Sequence, residues 1–157
     1  MNKIESILDK SDYEIYDDFL NFRIDNIWLD EHLERLYPNE GYKGLIPTLL
    51  PYLDSKEEQN LVWNRILPKE KEPSICPILM CPDDCDFTCT LVVAEIINHG
   101  THIQWRKIGL DRTNTWETEK VGSEVQWLEK VSTMNFDMDD YLLMLVLFKE
   151  HGLNDAP

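Results

Sequence analysis

Positive charge is what this sequence has least of: 15 Lys and Arg stand against 30 Asp and Glu, a formal net charge of −15 over 157 residues. Such a balance repels nucleic-acid phosphates and anionic lipid surfaces, so direct binding to either is not expected. Long apolar runs are missing too. The longest, Tyr141–Phe148, falls far short of the ~18 residues of a membrane-spanning helix. The N-terminal Met1–Ser6 has no basic region leading into an apolar stretch, so no export signal is expected. The chain is therefore read as cytoplasmic, with Cys76, Cys81, Cys85 and Cys89 held reduced. Catalytic signatures are lacking as well: there is no G-x-S-x-G, P-loop, G-x-G-x-x-G or H-E-x-x-H, and the four histidines are scattered. The composition describes a binding protein, not an enzyme.

Aromatic side chains are plentiful, with five Trp, six Tyr and five Phe in a chain that is 43% hydrophobic. Disordered acidic tails lack such residues, and the length suits one domain over 1–157. The first 67 residues read as helical and 75–128 as strands, separated by the charged surface loop Pro68–Pro73. Ser11/Glu14 and Ser55/Glu58 have capping-box spacing. Ile15, Tyr16, Phe19 and Leu20 then return at helical intervals, as do Leu29, Leu33 and Leu36. Strands are expected at Ile75–Met80, Cys89–Asn98 and His102–Ile108, the last because Ile103 and Trp105 alternate with Gln104 and Arg106; a turn is expected at Gly100 and a further strand at Val125 and Trp127. Asp137 is placed to cap a C-terminal helix, Asp139 and Asp140 sit at its positive end, and Gly152 follows as a stop. That helix is apolar all round, so it should be covered on several sides and pack on the sheet, sharing one core with Trp105 and Trp127. The expected fold is α+β: N-terminal helices, a central antiparallel β-meander, and a C-terminal helix packed on the sheet.

The cysteines follow a C-x4-C-x3-C-x3-C pattern, which lacks the paired knuckles of a structural zinc site. With the outer two expected in strands, packing as small hydrophobes is the preferred reading, and no metal or other cofactor is expected. Between them lies an acidic turn bearing Asp83, Asp84 and Asp86. It suits either a solvated hairpin or an anionic knob for a basic partner, and the EF-hand pattern is missing. Acidic residues also crowd the N-terminal helices, among them Asp17, Asp18, Asp30 and Glu31. A face so one-sided suffers self-repulsion that a basic partner surface would relieve.

The stretch Ile75–Glu95 followed by Gln104–Asp111, with Asn21–Trp28 and Tyr42–Pro47 upstream, resembles bacterial immunity proteins. These are the cognate antitoxins of polymorphic toxins, including LXG-type toxins with ribonuclease tips. The resemblance implies a stoichiometric inhibitor of a secreted toxin, in a single immunity-protein-like domain. The net charge of −15 leads the same way, because a nuclease needs a cationic groove that an acidic protein can fill. Asp17, Asp18, Asp30, Glu31, Asp83, Asp84 and Asp86 are the expected partner-binding residues. The competing readings are an acidic adaptor or nucleic-acid mimic acting on another basic protein, and a zinc-dependent module.

Overall fold

The computed structural model describes residues 1–9, 18–114 and 116–155, with side chains as far as Gly152. Its class is α+β. Three strands, β1 (Ile4–Asp9), β2 (Phe19–Ile24) and β3 (Ile27–Trp28), form a small antiparallel sheet in that order. Helices α1 (Leu29–Leu36) and α2 (Lys56–Arg65) flank the short β4 (Ile46–Pro47). A second antiparallel sheet then runs β4–β5–β6–β7–β8, with β5 at Ser74–Met80, β6 at Leu91–Asn98, β7 at His102–Asp111 and β8 at Val125–Trp127. The last strand, β9 (Met134–Asp137), pairs with β7 over His102–Trp105, while β8 pairs with it over Gly109–Asp111. One long strand thus serves two partners along the same edge. The Asn2 amide donates to the Asn135 carbonyl at 2.8 Å, which joins the small sheet to β9.

The expected meander is present, and so is the tight turn before β7, where Gly100 adopts φ +81°. The helix following Ser55 forms as its capping box requires: the Ser55 hydroxyl accepts the Glu58 amide at 3.1 Å and donates to the Glu58 carboxylate at 3.0 Å. The N-terminal region departs from expectation. The Ser11 region lies largely outside the described residues, but Phe19 and Leu20 belong to a strand, not a helix. Phe19, Leu20, Asn21, Phe22 and Ile24 are all buried, so β2 is covered on both faces. A short run buried on both faces shows no alternation, and periodicity cannot then separate strand from helix.

Both sheets meet in one aromatic core. Trp105 from β7 is fully buried, with the rings of Phe22 and Phe136 set edge-on at 5.7 and 5.1 Å. The last helix, α3 (Met138–Asp155), closes this core with Tyr141, Met144, Leu145 and Phe148. Each fully buried side chain of this kind contributes roughly 1.5–3 kcal/mol of transfer free energy. Asp137 caps α3 as expected, its carboxylate accepting the amides of Asp139 and Asp140 at 3.0 and 3.2 Å. Three expectations fail here. Trp127 lies outside the core, half-buried beneath the Lys107 ammonium, because β8 is short and its side chains remain near the sheet margin. Gly152 does not end the helix, which continues to Asp155. Nor is α3 covered all round: Leu142, Leu143, Val146 and Leu147 face solvent. No helix among the described residues is long and apolar enough to cross a membrane.

Candidate functional site

The acidic turn joins β5 to β6, and it is held from several directions. Cys81 and Cys89 form a disulfide across it, their Cα atoms 6.0 Å apart. This corrects the expectation of four reduced cysteines: the loop bends its ends together, and Cys89 lies in the exposed loop, not within β6. Spacing alone did not show this approach. Cys76 and Cys85 are buried thiols outside that bond, and burial pushes the Cys76 thiol well above its ordinary range. Within the loop the Cys85 amide donates to the Cys81 carbonyl at 3.0 Å, and Cys85 takes a left-handed backbone at φ +49°. The Asp54 amide reaches the Cys85 carbonyl at 2.9 Å, and the Phe87 amide reaches the Glu58 carboxylate at 2.9 Å. Both contacts anchor the loop to the start of α2.

That scaffold sorts the three aspartates. Asp83 and Asp84 project into solvent. Asp86 is half-buried, and its carboxylate accepts the Thr88 amide at 2.9 Å and the Thr88 hydroxyl at 2.6 Å, an Asx turn. Asp83 and Asp84 therefore carry the loop's outward charge, while Asp86 shapes its exit.

A cleft of about 310 Å³ opens beside the loop, lined by Glu58, Phe87, Asp111, Trp116 and Glu117 among others. Its carboxylates are already engaged within the chain. Asp111 accepts the Thr113 hydroxyl at 2.7 Å and the Gly122 amide at 3.0 Å, and Glu117 pairs with Lys120 at 2.9 Å. Trp116 is fully exposed. A ring so placed costs solvation unless something covers it, and exposed Trp beside charge is a common anchor of protein interfaces. The sequence marks Glu58 only as a capping residue and gives the other cleft residues no role. Asp111 and Glu58 sit far from the loop in the chain, and only Trp116, a large ring in an otherwise polar segment, offered a signal.

The remaining expected residues occupy other elements. Asp17 lies outside the described residues, and Asp18 is exposed just before β2. Asp30 and Glu31 stand in the first turn of α1. Asp30 is buried, and its carboxylate accepts the Gly44 amide at 2.9 Å. Its desolvation holds the carboxyl above the usual range, against the lowering effect of that hydrogen bond. Asp30 is thus a brace for the segment before β4, and the acidic residues do not form one continuous helix face. Glu31 is half-buried. Of the expected residues, Asp83, Asp84 and Asp86 share one loop, whose Phe87 and Thr88 line the cleft. Among the described residues no group of three or more His, Cys, Asp or Glu is arranged to hold a metal ion.

Comparison with family models, with curated proteins and with solved structures finds no match for this chain.

Proposed function

We propose that this protein is an inhibitor of immunity type, which binds a basic toxin, a nuclease foremost, and blocks its phosphate-binding cleft in the cytoplasm of the producing cell. The observation that carries the reading is the braced acidic loop. Asp83 and Asp84 are exposed on a segment fixed by two contacts to the head of α2, and Phe87 of the same loop lines the cleft that holds the exposed Trp116. Preorganised carboxylates bind a cationic groove with less ordering cost than mobile ones, and the neighbouring ring supplies an apolar anchor. If the Cys81–Cys89 bond is reduced, the loop keeps its Asp54 and Glu58 anchors. No catalytic step is assigned to the chain.

The test is co-expression with a toxin gene sought next to its own, followed by stopped-flow association over a salt series. Protection of the cells is expected, with an on-rate that falls as salt screens the field. Asp83→Asn with Asp84→Asn should lower the on-rate severalfold, whereas Trp116→Ala should raise the off-rate tenfold or more. Cells that die despite soluble inhibitor overturn the immunity reading. Protection with a salt-independent on-rate rejects the acidic loop as the steering element.

A further inference from the structure

The outward face of α3 is a second surface, independent of the acidic loop. Leu142, Leu143, Val146 and Leu147 are exposed to 38, 58, 48 and 36%. They follow i, i+1, i+4, i+5 spacing, which puts them in one stripe. Beneath them Tyr141, Met144, Leu145 and Phe148 already fill the core, so the stripe is not needed to hold the helix down. Contiguous apolar surface of this sort on a soluble domain marks an interaction site more often than chance exposure.

The ends of the stripe indicate what fits it. Asp139 precedes Leu142 and Leu143 by three and four positions, and Glu150 follows Leu147 and Val146 by three and four; both carboxylates are exposed on the same face. Among the described residues, two cations near this helix are turned elsewhere: Lys149 lies over the Trp63 ring at 5.4 Å, and Lys3 is paired with Asp140 at 2.9 Å. The face is acid, apolar, acid, with its carboxylates about 16 Å apart along the axis. A second copy of this chain is a poor occupant. An antiparallel pair centred on the stripe sets Asp139 against Glu150, and a parallel pair sets each against itself. The net charge of −15 adds to that repulsion. From this geometry we infer that α3 docks an amphipathic helix of a protein partner, with an apolar centre flanked by Arg or Lys one such span apart.

A fluorescein-labelled synthetic helix with Leu at i, i+1, i+4, i+5 and an Arg at each end of that face serves as the probe. Two controls accompany it, one with Ser for the Leu residues and one with Glu for the Arg residues. Anisotropy should show one-to-one binding, with methyl shifts at Leu142, Leu143, Val146 and Leu147. Leu143→Gln with Val146→Gln keeps good helix formers on an exposed face and should weaken binding at least tenfold, as should either control peptide. Asp83→Asn, Asp84→Asn and Asp86→Asn together should change it less than twofold. Equal binding by the Ser peptide, or indifference to the α3 substitutions, overturns the inference. So does a sedimenting dimer that those substitutions dissociate, since the occupant is then a second copy. Cell protection through the acidic loop is read separately and can succeed or fail on its own.

Discussion

Tyr141→Phe removes one oxygen from the centre of the protein and should be among its most costly conservative changes. The Tyr141 hydroxyl donates to the Ile66 carbonyl at 2.6 Å and accepts the Trp105 indole N–H at 3.2 Å. All of this lies where Tyr141 and Trp105 are both fully buried. The hydroxyl therefore links α3 to the end of α2 and to β7. Phenylalanine fills almost the same volume, so packing changes little. What it leaves is a buried carbonyl and a buried indole N–H without their partner. Each such orphan costs about 1–3 kcal/mol, and the slightly greater hydrophobicity of Phe offsets part of the sum. The expected loss is about 2–4 kcal/mol. For a domain of this size that lowers Tm by roughly 5–15 °C. Urea denaturation followed by near-UV circular dichroism would measure it, with Tyr37→Phe as the control. The Tyr37 hydroxyl accepts the Lys130 amide at 2.8 Å in an exposed setting, where water replaces it, so the control should lose less than about 1 kcal/mol. If Tyr141→Phe behaves like the control, water reaches the buried site or the hydrogen bonds do not form, and the account of the core fails.

The disulfide supports a second prediction. Cys81 and Cys89 are separated by 8 positions, and closing a loop of that length in the unfolded chain is worth about 2.5 kcal/mol on the chain-entropy account. Cys81→Ser with Cys89→Ser should lower the stability of oxidised protein by that order and leave reduced protein nearly unchanged; an equal loss in dithiothreitol would refute it. Asp30 gives a pH-dependent one. Burial raises its carboxyl, so the folded chain keeps a proton that the unfolded chain has released. The stability this contributes is full at low pH and lost as pH rises through the raised value. Asp30→Asn retains an acceptor for the Gly44 amide and abolishes the titration. Its stability relative to wild type should therefore be higher near neutrality than in acid, as urea midpoints over a pH series would show. A difference constant with pH would refute the shift.

Local chemistry made much of the fold legible. Ser55 and Glu58 announced α2, Asp137 announced α3, and the alternation of Ile103 and Trp105 with Gln104 and Arg106 announced β7. In each case neighbours in the chain decide the structure, through a cap or through one buried and one wet face. The failures share a different physics. β2 reads as a helix because its residues are buried on both sides and the alternation vanishes. Trp127 reads as core because its hydrophobicity is visible while the shortness of β8 is not. Gly152 reads as a stop, yet the helix passes through it, since glycine's cost within a helix is only about 1 kcal/mol relative to alanine. The outward stripe of α3 was hidden for the opposite reason. An all-round apolar helix looks fully covered until the number of elements available to cover it is known.

The candidate site shows why a count of carboxylates says little about where they act. Asp30, Asp86, Asp83 and Asp84 are the same chemical group, and in the sequence they appear equally free to meet a partner. In the fold Asp30 is committed to the Gly44 amide and Asp86 to Thr88. A carboxylate accepting backbone amides has part of its field compensated locally, and a buried one projects less into solvent than an exposed one. Of these four, only Asp83 and Asp84 combine exposure with a fixed backbone, so long-range attraction of a cationic surface should fall more to them than to Asp30 or Asp86. The loop backbone itself is fixed by contacts that cross the chain, Asp54 to Cys85 and Glu58 to Phe87, which no local pattern encodes. It follows that neutralising Asp86 should disturb the loop's shape, and hence the off-rate of a partner, more than the salt dependence of its approach. Neutralising Asp83 and Asp84 should do the reverse. Were all three to shift the salt slope alike, the loop would be acting as undifferentiated charge, and its bracing by α2 would have no part in recognition.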